Sequence, residues 1–215
     1  MVIVNLVYGL TLPLLSLVLD GQGISKTVIG LSIVAQASAG VLLAPMIPRL
    51  ILRMGAARVM KQATLLAAGT LVALGLVQDV YAWFPMRFLL GAAAAMLWSA
   101  SEIVINELAD DDWRGRIIGV YGSAGAAGFA LGPLVLIMTG TDGLLPFVVT
   151  AVLVAVAGLP LFWLRNEAVT DGHDSHPSLM RIFRLVPDIM LLNLAYAAAV
   201  EAFLAFFPLF GIHIG

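Results

Sequence analysis

The 215-residue sequence contains no cysteine and few charged residues. Without cysteine, disulfides, zinc–cysteine sites and thiol catalysis are excluded. Charged residues make up 11% and hydrophobic residues 61% of the chain, whereas an average soluble domain has about 25% charged residues. The net charge of -2 is too small to indicate a nucleic acid or another highly charged partner. A soluble globule could not bury so much apolar surface, so the composition predicts a protein whose partner is the lipid bilayer.

The polar residues show no pattern of catalytic chemistry. No cluster of His, Asp and Ser stands at catalytic spacing, and nothing resembles a phosphate-binding loop. His173 and His176 lie in a polar segment without a third ligand nearby, so we interpret them as solvated rather than metal-binding. We therefore expect neither enzyme activity nor a bound metal or organic cofactor.

Seven apolar segments are each near the length of about 20 residues that a membrane-spanning helix requires. Five of them contain no Lys, Arg, Asp or Glu; the fourth contains Arg87 and Glu102, and the seventh contains Glu201. The predicted spans are residues 2–19, 27–48, 62–78, 80–106, 117–141, 143–164 and 189–215. The sequence thus predicts an all-α membrane protein, a bundle of about seven transmembrane helices.

The basic residues predict the orientation of these spans. Nine of them fall in loops on one side of the membrane, and only Lys26 falls in a loop on the other side. The nine are Arg49, Arg53, Arg58, Lys61, Arg114, Arg116, Arg165, Arg181 and Arg184. The positive-inside rule places these loops and the N-terminus in the cytoplasm. We expect a multi-pass protein of the bacterial inner (cytoplasmic) membrane, whose first apolar run is retained because it lacks a basic leader and a cleavage site.

A polar segment divides the chain. We predict a six-helix N-terminal half at residues 1–164, a cytoplasmic linker at 165–187, and the first helix of an incomplete second half at 188–215. The sequence Asn-Leu-Val-Tyr at residues 5–8 has an echo, Asn-Leu-Ala-Tyr, at residues 193–196. This repeat would make the seventh span the start of a second six-span unit. Three interpretations of such a chain stay open: the protein continues beyond Gly215 into the second half, two copies of the chain assemble, or the chain is inactive.

Charged residues inside the spans are the main functional candidates, because they are costly in hydrocarbon and by default face a cavity or a partner. At 100° per residue, Gly91, Trp98 and Glu102 lie within about 60° of Arg87, and we expect this face to line a cavity. Two alternatives stay open. The guanidinium of Arg87 could snorkel to the head groups, and Glu102 could simply meet loop cations or water.

The fifth span carries a helix-packing motif of Gly119, Gly128, Gly132 and Pro133. Ala124, Gly128 and Gly132 follow a four-residue spacing that lets another helix approach closely. The proline cannot donate a helical hydrogen bond, which favours a bend. We interpret this motif as structural, without transport chemistry of its own.

These features, in this order, resemble the major facilitator superfamily. Residues 48–58 are similar to its cytoplasmic signature between the second and third helices, and Arg49, Arg53, Gly55 and Arg58 fit the pattern. Pro48 replaces the usual first glycine, and Leu52 replaces the usual aspartate. Glu107 and Arg114 resemble the acid-and-arginine pattern of the loop after the fourth helix.

Two further segments carry the same resemblance. Arg87-(x3)-Gly91 is similar to the fourth-helix signature, whose arginine is associated with proton coupling. Residues 119–133 resemble the fifth-helix signature of proton-driven antiporters, although Leu136 and Ile137 replace the glycine pair that often follows the proline. A branch of uncharacterised facilitators is especially similar in the run of Arg87-Phe88, Gly91, Trp98, Glu102 and Arg114-Gly-Arg116.

The resemblance implies a secondary active transporter of small molecules that couples export to protons by alternating access. Glu201 would carry the proton, and Arg87 would keep the carboxylate of Glu201 ionised. The alternative is that Glu201 only hydrogen-bonds within the bundle. Asn5 and Tyr8 would contribute substrate hydrogen bonds or else cap the first helix. The gate residues Arg49, Arg53, Gly55, Arg58, Glu107 and Arg114 would close the cytoplasmic side by ion pairing, or remain solvated. The alternative function is a non-transporting membrane protein, receptor-like or a remnant half.

Overall fold

The computed structural model describes residues 1–77, 79–108 and 112–164, except the side chains of residues 107 and 108. It also describes residues 188, 191–192, 195–196, 199–200 and 202–203, all of which are helical. The chain divides into two compact units, Met1–Val169 and Thr170–Gly215. The predicted seventh span, including Glu201, lies mostly outside the described residues.

The first unit is all-helical, and its described residues contain no strand. Its helices are α1 (Val2–Gly21), α2 (Lys26–Leu43), α3 (Ile47–Met54), α4 (Ala56–Leu76), α5 (Val80–Leu108), α6 (Arg114–Thr139) and α7 (Leu145–Gly158), and a 3₁₀ helix (Leu159–Trp163) continues α7. All but α3 are long and apolar enough to cross a membrane when α7 is taken together with its continuation. The predicted all-α membrane fold is confirmed.

Short polar side chains start two of the spans. The hydroxyl of Ser25 accepts a hydrogen bond from the backbone N–H of Val28 at 3.4 Å and caps α2. A carboxylate oxygen of Asp79 accepts bonds from the N–H groups of Tyr81 and Ala82, at 2.7 and 3.0 Å, and serves α5 in the same way. These caps satisfy N–H groups that have no partner inside a helix.

The second span and the loop after it differ from the prediction. The prediction extended the span to Pro48 and treated the next residues as a loop, but α2 ends at Leu43 and a separate short helix, α3, follows. Pro48 lies in the first turn of α3, where its missing N–H costs nothing. Gly55, with φ 85° and ψ 144°, separates α3 from α4 in a conformation that favours glycine. The helix α4 therefore begins six residues earlier than predicted.

Helix α1 occupies the centre of the unit, where Leu10, Leu14 and Leu15 are fully buried. It contacts α2, α5, α6 and α7. Its contact with α6 is close because glycines face each other. A Cβ added at Gly132 would overlap the backbone of Gly9, and one at Gly128 would lie 2.7 Å from the carbonyl oxygen of Val2.

Not every residue of the predicted packing motif lies in this contact. Gly125, three residues before Gly128, faces α1, whereas Gly119 is exposed and has no neighbouring atom within 4 Å of an added Cβ. Pro133 lies inside α6 and is also exposed. Gly119 thus takes no part in the contact between α1 and α6, because the buried face of α6 repeats as Gly125, Gly128 and Gly132 and points away from Gly119.

Candidate functional site

Arg87 lies two turns into α5 and is completely buried. None of its three guanidinium nitrogens has a hydrogen-bond partner among the described residues. A buried charge without a partner is strongly unfavourable, so it requires a partner from elsewhere or a ligand. The side chain has no exposed surface in this structure, and the choice between a cavity-facing and a snorkelling guanidinium stays a prediction.

Gly91, one turn after Arg87, brings α5 against α2. A Cβ at this position would overlap the backbone carbonyl oxygen of Gln36 and approach Ala39 at 3.1 Å. Because successive spans alternate in direction, α2 and α5 run the same way through the membrane. Side chains tilt toward the N-terminus of their helix, so the side chain of Gln36 points toward the level of Arg87.

Gln36 is the second unsatisfied group of this interface. It is 1% exposed, and neither its amide nitrogen nor its amide oxygen has a partner in the described part of the chain. By contrast, Ser32, one turn earlier on α2, donates to the carbonyl of Ile29 at 2.6 Å. The hydroxyl of Ser16 on α1 is buried and also lacks a partner among described residues.

Gln36 is not among the candidate site residues predicted from the sequence, although its position in an apolar span indicates one. It is the only amide or charged side chain between Lys26 and Leu43. The cost argument that selected Arg87 applies to a buried amide as well, at a smaller magnitude. Counting only Lys, Arg, Asp and Glu within spans left it out.

The predicted cavity-lining face of α5 has two different environments. Arg87 and Gly91 are buried beside α2, whereas Trp98 is 40% exposed and Glu102 is exposed. The indole N–H of Trp98 donates to a carboxylate oxygen of Glu102 at 2.6 Å. The register of Gly91 on Gln36 puts Trp98 level with the end of α2, so the last turns of α5 extend beyond that helix. Among the described residues, Arg87 itself is fully enclosed and borders no open surface.

Asn5 and Tyr8 lie on α1, and both are half-buried. The side-chain nitrogen of Asn5 donates to the carbonyl of Met1 at 3.2 Å, beside Gly125 of α6. This bond does not cap α1, because it is donated to a carbonyl that already accepts the backbone N–H of Asn5, and no side chain caps the start of the helix. A role of either residue in substrate binding stays a prediction.

The gate residues are dispersed over three helices. Arg49 and Arg53 lie on α3, Arg58 on α4 and Arg114 at the start of α6, and all four side chains are exposed. The side chain of Glu107 lies outside the described residues, so its pairing with them is untested. In the described part of the chain, no group of three or more His, Cys, Asp or Glu could hold a metal ion.

Comparison with known proteins gives one family. The family model of the Major Facilitator Superfamily matches residues 1–215. The uncharacterized MFS-type transporter YfkF of Bacillus subtilis is 25% identical over 209 residues, which cover 94% of this chain and 49% of that protein. A second uncharacterized MFS-type transporter, from Enterobacter sp. (strain 638), is 33% identical over 130 residues, 60% of this chain and 33% of that protein.

A third relative, the uncharacterized MFS-type transporter YcaD of Salmonella enteritidis, is 31% identical over 135 residues. That alignment covers 61% of this chain and 35% of the relative. The chain therefore spans about half the length of the first relative and about a third of the other two.

Proposed function

Because the chain belongs to the major facilitator superfamily, a family of membrane transporters and not of enzymes, we propose that it works in secondary active transport. The proposed activity is proton-coupled export of small molecules by alternating access. The observation that carries this proposal is the fully buried guanidinium of Arg87, which has no partner among the described residues.

A buried, unpaired guanidinium suits proton coupling because an arginine keeps its charge under all physiological conditions. A carboxylate beside it is favoured in the ionised form, and protonation of that carboxylate releases the attraction. A site of this kind can exchange a proton, or a substrate anion, while the arginine itself stays unchanged. The unsatisfied amide of Gln36 would supply an additional donor on the neighbouring helix.

We propose Glu201 as this carboxylate. On the spans predicted from the sequence, helical rise would put Arg87 about 10 Å below the outer boundary and Glu201 about 18 Å above the inner boundary of a core about 30 Å thick. This prediction would give the two residues a similar depth in the membrane. Glu102 is the competing candidate, but its carboxylate is exposed and accepts a hydrogen bond from Trp98.

We also propose a gate on the cytoplasmic side of the protein, and α3 forms part of it. Arg49, Arg53 and Arg58 present exposed positive charge on both sides of the Gly55 turn. Glu107 and Arg114 flank the next cytoplasmic loop, and a conformational change would pair Glu107 with the basic residues. We also propose that the protein resides in the bacterial inner membrane with its N-terminus in the cytoplasm, following the basic loops.

The test uses proteoliposomes that contain a complete transporter with these residues and an enclosed pH-sensitive dye. A panel of small molecules is screened for those whose gradients move protons. Glu201→Gln should abolish proton movement and the pH dependence of transport while substrate binding remains detectable. Arg87→Lys should weaken coupling, because an ammonium cannot reproduce the planar fork of the guanidinium.

Glu102→Gln is the matched control, since it removes the same charge from an exposed position. It should retain proton coupling. Unchanged coupling in Glu201→Gln would refute the assignment, and a loss of coupling in Glu102→Gln would then identify Glu102 as the proton carrier.

A further inference from the structure

A groove of about 320 Å³ opens between α3 and α5, next to the end of α2. Leu43, Met46, Leu50 and Met96 give it apolar walls, and Arg49 and Arg53 give it positive charge. No acidic residue is among the described residues that line it. Its volume lies at the lower end of the range for small-molecule sites.

The position of α3 explains why apolar and basic groups meet here. With eight residues, α3 is about 12 Å long and too short to cross a bilayer. Buried Ile47 and Ile51 hold it against the bundle. Positions 46, 49, 50 and 53 follow the spacing of one helical face, and this face borders the groove. The helix thus lies at a membrane–water boundary with a mixed apolar and basic face.

The two arginines are available to a ligand. Both side chains are exposed, and neither forms a hydrogen bond or ion pair with a described residue. Met46 in the groove is 60% exposed, and Leu42 on the neighbouring turn of α2 is 63% exposed and extends the apolar surface along that helix. A ligand with an anionic head and a hydrocarbon tail would match both parts of this surface.

We propose that the groove binds an anionic phospholipid. The phosphate group would accept hydrogen bonds from Arg49 and Arg53, whose guanidinium forks match phosphate oxygens. The first methylene groups of the acyl chains would contact Leu43, Met46 and Met96. Basic pockets between helices at a membrane surface are a recognised way of holding such head groups. This inference does not rest on proton coupling or on the direction of transport.

The test measures thermal unfolding of the purified 215-residue chain in an uncharged detergent at constant ionic strength. Phosphatidylglycerol should raise the Tm by about 3 °C or more near saturation, because a ligand that binds only the folded state stabilises it. Phosphatidylcholine, which has the same acyl chains without net charge, should have little effect. An equal response to the two lipids would overturn the proposal.

Substitutions test whether phosphatidylglycerol stabilises the chain by binding in this groove. The double variant Arg49→Gln with Arg53→Gln should lose the response to phosphatidylglycerol, whereas Arg58→Gln, an exposed arginine outside the groove, should retain it. If the double variant does not fold, Met96→Gln is tested instead. It makes the apolar wall of the groove polar and should reduce the response of the Tm to phosphatidylglycerol. A full response in either groove variant would refute the site.

Inorganic phosphate and glycerol phosphate distinguish a lipid from a free anion. They carry the same phosphate chemistry without acyl chains, so they should stabilise the chain far less than phosphatidylglycerol. Equal stabilisation by inorganic phosphate would show a free-phosphate site and contradict the choice of a lipid.

Discussion

Gly132 and Gly119 lie on the same helix but have opposite surroundings. An atom added to Gly132 would overlap the backbone of Gly9, whereas one added to Gly119 would meet nothing within 4 Å. Both positions are helical, so alanine would be favoured at each by intrinsic helix propensity. The difference between them therefore isolates the cost of separating α1 from α6.

We expect Gly132→Ala to destabilise the protein by about 1–3 kcal/mol, because the added methyl group over-packs a backbone contact that cannot yield easily. Gly119→Ala should be neutral or stabilising by up to about 1 kcal/mol. Thermal unfolding of both variants in detergent measures the difference. Equal stability of the two variants would contradict the close contact.

The backbone conformation of Gly55 leads to a second prediction for a single residue. Its φ of 85° and ψ of 144° lie in a region that residues with a side chain rarely adopt. Gly55→Ala should therefore lower stability by about 1–3 kcal/mol. Gly69→Ala on α4 is the control, because Gly69 has an ordinary φ and open space around it. The same unfolding assay applies, and a loss in Gly69→Ala that matched the loss in Gly55→Ala would refute the backbone argument.

At the scale of elements, the six long helices were predictable because each is a run of apolar residues that only a bilayer accommodates. The helix α3 was not, since it carries Arg49 and Arg53 within eight residues and a count of uncharged runs interprets such a segment as a loop. Its alternation of buried Ile47 and Ile51 with exposed arginines is visible only once the neighbouring helices supply a surface. The phase of the contact on α6 was hidden for the same reason, because glycines occur on several of its faces.

The attachment of α3 gives the element-scale prediction. Ile51 is 1% exposed and Leu52, its neighbour, is 53% exposed. Ile51→Asp should detach α3 from the bundle, because a buried carboxylate without a partner is strongly unfavourable. Leu52→Asp should leave it attached. Hydrogen exchange of residues 47–54 checks this prediction: faster exchange is expected in the first variant alone, and slow exchange in both would contradict it.

At the scale of the whole molecule, the absence of cysteine makes topology directly testable. Asp112 and Asp142 are both exposed and lie at opposite ends of α6. In intact cells, an impermeant maleimide should label Asp142→Cys from outside, whereas Asp112→Cys should require permeabilised membranes. Labelling of both positions from the same side would contradict the membrane crossing of α6, and reversed labelling would contradict a cytoplasmic N-terminus.

The candidate site was predictable only in part. The cost of charge in hydrocarbon selected Arg87, and the structure buries it completely. The sequence did not reveal that Gly91 would lock this region of α5 against Gln36, because pairing between helices depends on contacts distant in the chain. The partner of the guanidinium is a question of the same kind, and Glu201 stays a prediction.

The close contacts of the first unit have a mechanical consequence. Taken as two triplets of spans, α1–α2–α4 and α5–α6–α7, the leading helix of each triplet packs against the middle helix of the other: α1 on α6, and α5 on α2. Glycines mediate both contacts, Gly9 with Gly132 in one and Gly91 in the other. Two triplets that clasp each other in this reciprocal way cannot hinge apart without breaking both contacts. In the proposed alternating-access cycle, we therefore expect these six spans to move together as one body.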